Sequence, residues 1–148
     1  MSKIESVMSV FRDDLDCAQA LVSTYGPGLG LDREIAIKVA DAFGGGIGRT
    51  WETCGAVTGA LMVMGLKYGE KSPESARNNK GIHKMAKDFI SRFASRNGSI
   101  LCRELLERDI SNPDTYNSKE TLELFRDSCP KYVRDAAEII EELIEFPE

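Results

Sequence analysis

The sequence predicts an all-α fold, a compact multi-helix bundle with a glycine-rich loop before a central small-residue helix. Apolar residues recur at three- and four-residue spacing in several long segments, the period of a helix with one buried face. Helix-start signals stand ahead of such segments at Asp32 and at Ser72-Pro73-Glu74. No stretch of useful length alternates apolar and polar residues as a half-buried strand does. With 148 residues the chain is long enough to bury roughly 68–70% of its unfolded surface, so one domain, 1–148, is expected to fold without covalent staples.

Taken in order, Ile4, Met8, Phe11, Leu15, Ala18 and Val22 predict a first helix from Ile4 to Tyr25. Val10, Cys17 and Leu21 lie on its flank, which puts Cys17 at the edge of the core. Gly26-Pro27-Gly28-Leu29-Gly30 ends it, and Asp32 caps a second helix to about Phe43 with Ile35, Val39 and Ala42 or Phe43 facing inward. The run from Gly44 to Thr50 is too rich in glycine for a helix interior. Thr50 is the expected N-cap of a third helix, from Trp51 to Gly69. Within it Gly55, Ala56, Gly59 and Ala60 form a small-residue stripe that lets a neighbouring backbone approach closely. Each helical glycine costs about 1 kcal/mol against alanine, so packing or function has to offset it.

Ser72-Pro73-Glu74 opens a fourth helix that packs through Ile82, Met85, Phe89 and Phe93 and ends near Gly98. Ser99 caps a short helix through Cys102, Leu105 and Leu106, residues 111–118 read as a polar loop, and Pro130 opens the last helix, to Phe146, with an acidic outer face.

Composition narrows the function. The chain has 24 acidic against 19 basic residues and a net charge of −5, which argues against a nucleic-acid binder. The N-terminus lacks the charged and apolar regions of a secretory signal. The longest nearly uncharged apolar stretch, Cys54 to Leu66, has 13 residues against the ~20 that a span needs, so no membrane association is expected. A cytoplasmic protein follows, and its four cysteines are then packing residues, metal ligands or redox thiols.

Cys54 falls in the opening turns of the predicted third helix, Cys102 in the first turn after Ser99, and Cys129 directly before Pro130. Free amides and the helix dipole favour thiolate at such positions, with Arg49 and Arg103 adding to the effect. Cys54, behind a loop with few side chains to cover it, is the expected nucleophile, with Cys17, Cys102 and Cys129 as partners.

These elements together resemble the C_GCAxxG_C_C family of redox-active proteins. The matching residues are Cys17, the glycine segment from Gly44 to Arg49 leading to Cys54-Gly55-Ala56-Val57-Thr58-Gly59-Ala60, Cys102-Arg103-Glu104-Leu105-Leu106, and Cys129. The label writes glycine before its second cysteine and alanine after it, whereas Cys54 follows Thr53 and precedes Gly55-Ala56. The resemblance implies redox-active thiols and names no substrate.

A rival reading makes Cys17, Cys54, Cys102 and Cys129 ligands of zinc, iron or an iron–sulfur cluster. Their spacings of 37, 48 and 27 residues contain no close pair, so each ligand would come from a different element of the bundle. The glycine loop is not a P-loop, since Arg49 stands where the lysine belongs and position 43 is Phe, and the dinucleotide pattern fails at Arg49 or Trp51. What remains is an anion or small-cofactor site at Gly45, Gly46, Gly48 and Arg49, or a tight turn needing positive φ.

His83 is the only histidine and reads as a surface residue, and Met62 and Met64 read as core filling. Residues 67–96 carry eight basic against three acidic side chains, a solvated face or a dock for an acidic partner. The expected function is therefore thiol–disulfide or electron transfer with a protein redox partner. The alternative is a metal-binding or docking module of a larger redox complex.

Overall fold

The computed structural model describes residues 2–13, 15–107 and 117–146, and among these the chain is all-α, with eight α-helices. The first apolar stripe is carried by two helices instead of one: α1, Ile4–Arg12, and α2, Cys17–Tyr25. Asp16 causes the break. Its carboxylate accepts from the Gln19 amide at 2.9 Å while the Gln19 side chain accepts from the Asp16 amide at 3.2 Å, a reciprocal capping box. Cys17 thereby becomes the first residue of a helix.

Asp32 caps α3, Arg33–Ala40, as expected, by accepting from the amides of Glu34 and Ile35. The face it buries differs from the one expected. Ala36 and Ala40 are fully buried, whereas Ile35 and Val39 are 51% and 55% exposed, Ala42 is exposed and Phe43 half-buried. Both pairs have the same four-residue spacing, and the alanines win because they let α3 lie close against α2.

The third predicted helix starts later, as α4, Gly55–Tyr68, with Cys54 and not Thr50 at its N-cap. Its small stripe meets α2 as expected. A Cβ on Gly59 would lie 2.9 Å from the Ala18 Cα, and one on Gly55 would lie 3.1 Å from both the Ala18 amide nitrogen and the Cys17 Cβ. That approach seats Cys17 beside the start of α4.

Ser72 caps α5, Pro73–Arg77, but the fourth helix is split, because Asn79 caps a new one, α6, Lys80–Asn97, by accepting from the Ile82 amide. Phe89 and Phe93 reach the core, Ile82 and Met85 are half-buried, and His83 is exposed. Arg92 and Arg96 are satisfied within the chain by Glu142 and Glu138, at 2.9 and 2.8 Å.

A short α7, Cys102–Leu105, follows Leu101 as N-cap, two residues beyond the expected Ser99, whose hydroxyl instead accepts from the Leu101 amide at 3.0 Å. The last helix, α8, spans Lys119–Leu143 and contains Pro130 in its interior. Ser118 is its cap, and most of the predicted polar loop, residues 111–116, lies outside the described residues. Pro130 has no amide to give the Arg126 carbonyl. The helix continues through it because Cys129, Val133, Ala136, Ala137 and Ile140 form one buried face across it. Cys129 thus sits inside a helix and not at a helix start.

Met64, Val57, Phe89, Phe93, Val133 and Ile140 share one core between α4, α6 and α8, while Met62 is half-buried against a smaller cluster on α2 and α3. No described helix is long and apolar enough to cross a membrane.

Candidate functional site

The glycine loop winds the wrong way for L-residues. Gly45, Gly46, Ile47, Gly48 and Arg49 have φ of 70, 72, 63, 63 and 63°, and Trp51 follows at 62°. Each non-glycine residue there costs roughly 1–2 kcal/mol, and a β-branched residue such as Ile47 is especially unfavourable. The turn is held by backbone bonds from Arg49 to Gly44, Trp51 to Gly45 and Glu52 to Gly46, at 3.1, 3.1 and 2.8 Å. Thr50, expected to cap a helix, turns its hydroxyl back to donate to the carbonyls of Gly46 and Ile47.

Trp51 anchors the far end. It is 3% exposed and stacks on Phe125 with ring centroids 5.9 Å apart. The segment after it runs antiparallel to residues 100–103. The Cys54 amide donates to Ile100 at 2.8 Å, the Cys102 amide to Glu52 at 2.7 Å and the Arg103 amide to Trp51 at 3.0 Å. Cys54 and Cys102 are brought together by this pairing. Arg103, expected to face a thiol, pairs instead with Glu52 at 2.8 Å.

Cys17 at the start of α2, Cys54 at the cap of α4, Cys102 at the start of α7 and Cys129 within α8 all line one cavity of about 860 Å³. Gly45, Gly46, Gly48 and Arg49 line it as well. All four cysteines are free thiols, with Cys17 half-buried and Cys54, Cys102 and Cys129 only 5, 7 and 6% exposed. The Cys17 thiol interacts with those of both Cys129 and Cys54. Among the described residues no group of three or more His, Cys, Asp or Glu side chains is arranged to hold a metal ion.

The electrostatic expectation for Cys54 is reversed. The amides of Ala56 and Val57 do favour its thiolate, but contact with Cys17 and burial outweigh them and push the thiol well above its usual range. Cys17 is pushed up too, by contact with Cys129, then by burial and the Asp16 charge, against the opposing contact with Cys54. Burial, with the Cys54 charge behind it, pushes Cys102 up to about 12. A helix start lowers a thiol only where solvent or a cation reaches the sulfur, and here other sulfurs and apolar walls do.

Two cavity residues escaped the sequence reading. Tyr132, whose hydroxyl donates to the Leu105 carbonyl at 2.9 Å, is raised by burial and then by the charges of Cys129, Cys54 and Cys102. Its place three residues after Cys129 was the available signal, since that spacing shares a helix face. Asp16, next to Cys17, has its carboxyl raised mainly by burial, with the amides of Gln19 and Ala18 opposing and Asp41 adding. The signal for Asp16 was the capping box it forms with Gln19.

A carboxyl raised in the folded state weakens the fold as pH climbs from its unfolded value through its folded one. Asparagine keeps the cap without that charge. Near pH 7, Asp16→Asn is therefore expected to melt at or above the parent temperature, and to speed alkylation of Cys17 several-fold by removing one cause of its raised range. Slower labelling in the variant would contradict this assignment.

Among the described residues an all-helical scaffold thus gathers four cysteines from four elements around one cavity. A family model described as "Putative redox-active protein (C_GCAxxG_C_C)" matches residues 15–143, and the chain belongs to that family. No curated protein and no solved structure matches the chain.

Proposed function

We propose that the protein is a thiol–disulfide redox protein in which Cys17 forms a reversible disulfide with Cys54 or Cys129. The observation that carries this reading is the convergence of Cys17, Cys54 and Cys129 on one cavity, where the Cys17 thiol interacts with both of the others. Cys17 is also the most accessible of the four, which makes it, ahead of Cys54, the point of entry. Its thiolate attacks a substrate disulfide, releases one substrate thiolate and forms a mixed disulfide. Cys54 or Cys129 then attacks the Cys17 sulfur and releases the second. The two protein thiol protons go to the leaving thiolates, the protein pair is oxidised and the substrate disulfide is reduced by two electrons.

Cys17 and Cys54, both held above the usual thiol range, are poor leaving groups, so a disulfide between them resists reduction and the reduced pair is an electron donor. Such a pair suits a reducing compartment, in keeping with a cytoplasmic location, and needs a redox partner to restore it.

The test uses the full chain, reduced without oxygen and exposed to the neutral probe hydroxyethyl disulfide, followed by quenching and peptide mapping. The expected product is an intramolecular disulfide that contains Cys17, and Cys17→Ser should form none. A disulfide that excludes Cys17, or stoichiometric zinc or iron shielding the thiols of the isolated protein, would overturn the reading in favour of another pairing or a metal centre.

A further inference from the structure

Resting on that thiol–disulfide reading, we infer that the cavity takes an anionic, low-molecular-weight disulfide as its substrate. Size is the first argument. At about 860 Å³ the cavity falls within the ~300–1,000 Å³ typical of small-molecule sites. Cys17, the attacking thiol, is half-buried in the wall of this cavity, and the other three cysteines are at most 7% exposed, so the substrate disulfide has to enter the cavity to meet Cys17. A small molecule does so more readily than a disulfide fixed on the surface of a folded protein.

Charge is the second argument. Arg12 at the end of α1, Arg49 in the glycine loop and Arg126 on α8 converge on the cavity from three separate elements, and all three are exposed. Against these three guanidinium groups the lining carries two carboxyl groups, Asp16 in the capping box of α2 and Asp41, which accepts from the Gln19 side chain at 3.1 Å. The Asp127 partner of Arg126, at 3.3 Å, is itself 68% exposed, so that pair is weak and yields to a ligand anion.

The loop backbone is the third argument. The amides of Gly45, Gly46 and Gly48 donate to no acceptor among the described residues, although all three glycines line the cavity and Gly46 is buried. Amide donors beside guanidinium groups suit carboxylates on the substrate.

The test compares three probes on the full chain: oxidised glutathione, which is anionic, hydroxyethyl disulfide, which is neutral, and cystamine, which is cationic. The readout is the second-order rate of intramolecular disulfide formation by intact mass. In a variant carrying Arg12→Gln, Arg49→Gln and Arg126→Gln, the glutathione-to-cystamine rate ratio is expected to fall about tenfold or more, within the range of electrostatic steering. In the parent protein, added salt should slow oxidised glutathione and leave hydroxyethyl disulfide alone. An unchanged ratio, or equal salt dependence for the two probes, overturns the charge assignment while the thiol chemistry stands. If no probe yields a disulfide in the parent protein, the thiol–disulfide reading falls and this inference with it.

Discussion

Gly59→Leu is expected to cost about 3 kcal/mol or more, the upper part of the range for overpacking, and to lower the melting temperature by roughly 10 °C. Even the first carbon of a side chain there would stand 2.9 Å from the Ala18 Cα and 3.1 Å from the Ala18 carbonyl oxygen. Those are backbone atoms of α2 and cannot swing aside. The same displacement would carry Cys17 away from Cys54, so the variant should also lose disulfide formation. Thermal melting followed by circular dichroism checks the first effect, and a parent-like melt would contradict the close contact of α2 with α4.

Gly46→Ala is expected to be nearly as severe, at about 3 kcal/mol, because two separate penalties of roughly 1–2 kcal/mol or more combine. The backbone there has a φ of 72°, and the added carbon would lie 2.7 Å from both the Cys102 Cβ and the Glu52 amide nitrogen. Gly30→Ala separates the terms. Gly30 has a φ of 93° but no neighbour within 4 Å, so only the conformational cost applies. Fluorescence of Trp51, the only tryptophan, should shift to longer wavelength in Gly46→Ala alone as the loop end loosens. Equal destabilisation of the two variants would show that Gly46 is needed for its φ and not to make room for Cys102.

The features legible in the sequence are those that local chemistry decides. Asp32 and Ser72 cap helices because short polar side chains reach the first free amides, and Gly98 ends α6 at a φ of 86° that glycine tolerates. The stripe of Gly55 and Gly59 announced a close neighbour without saying which. Where two signals competed, the outcome rested on tertiary contacts that sequence spacing does not carry. Proline at position 130 normally marks a helix start, yet the buried face from Cys129 to Ile140 holds one helix through it. Ile35 and Val39 lost the buried face of α3 to smaller alanines because α2 lies close.

The candidate site divides in the same way. That the four cysteines belong together could be expected from their resemblance to a spaced-cysteine family. Their reactivity could not, because it depends on which thiol lies beside which, and that comes from the packing of α2 against α4 and α8 and from the left-handed path of the glycine loop. That path is held by the stacking of Trp51 on Phe125 and by the pairing with residues 100–103, partners remote in sequence from Gly45.

A two-electron dithiol centred on Cys17 is tested most directly by intact mass of the full chain, isolated and reduced without oxygen, across a graded thiol–disulfide buffer. The expected result is a loss of about 2 Da in one step, for the two hydrogens of one disulfide, reversed by excess thiol and absent in Cys17→Ser. A chain that keeps all four thiols across the series, or an oxidation step that persists unchanged in Cys17→Ser, would contradict it.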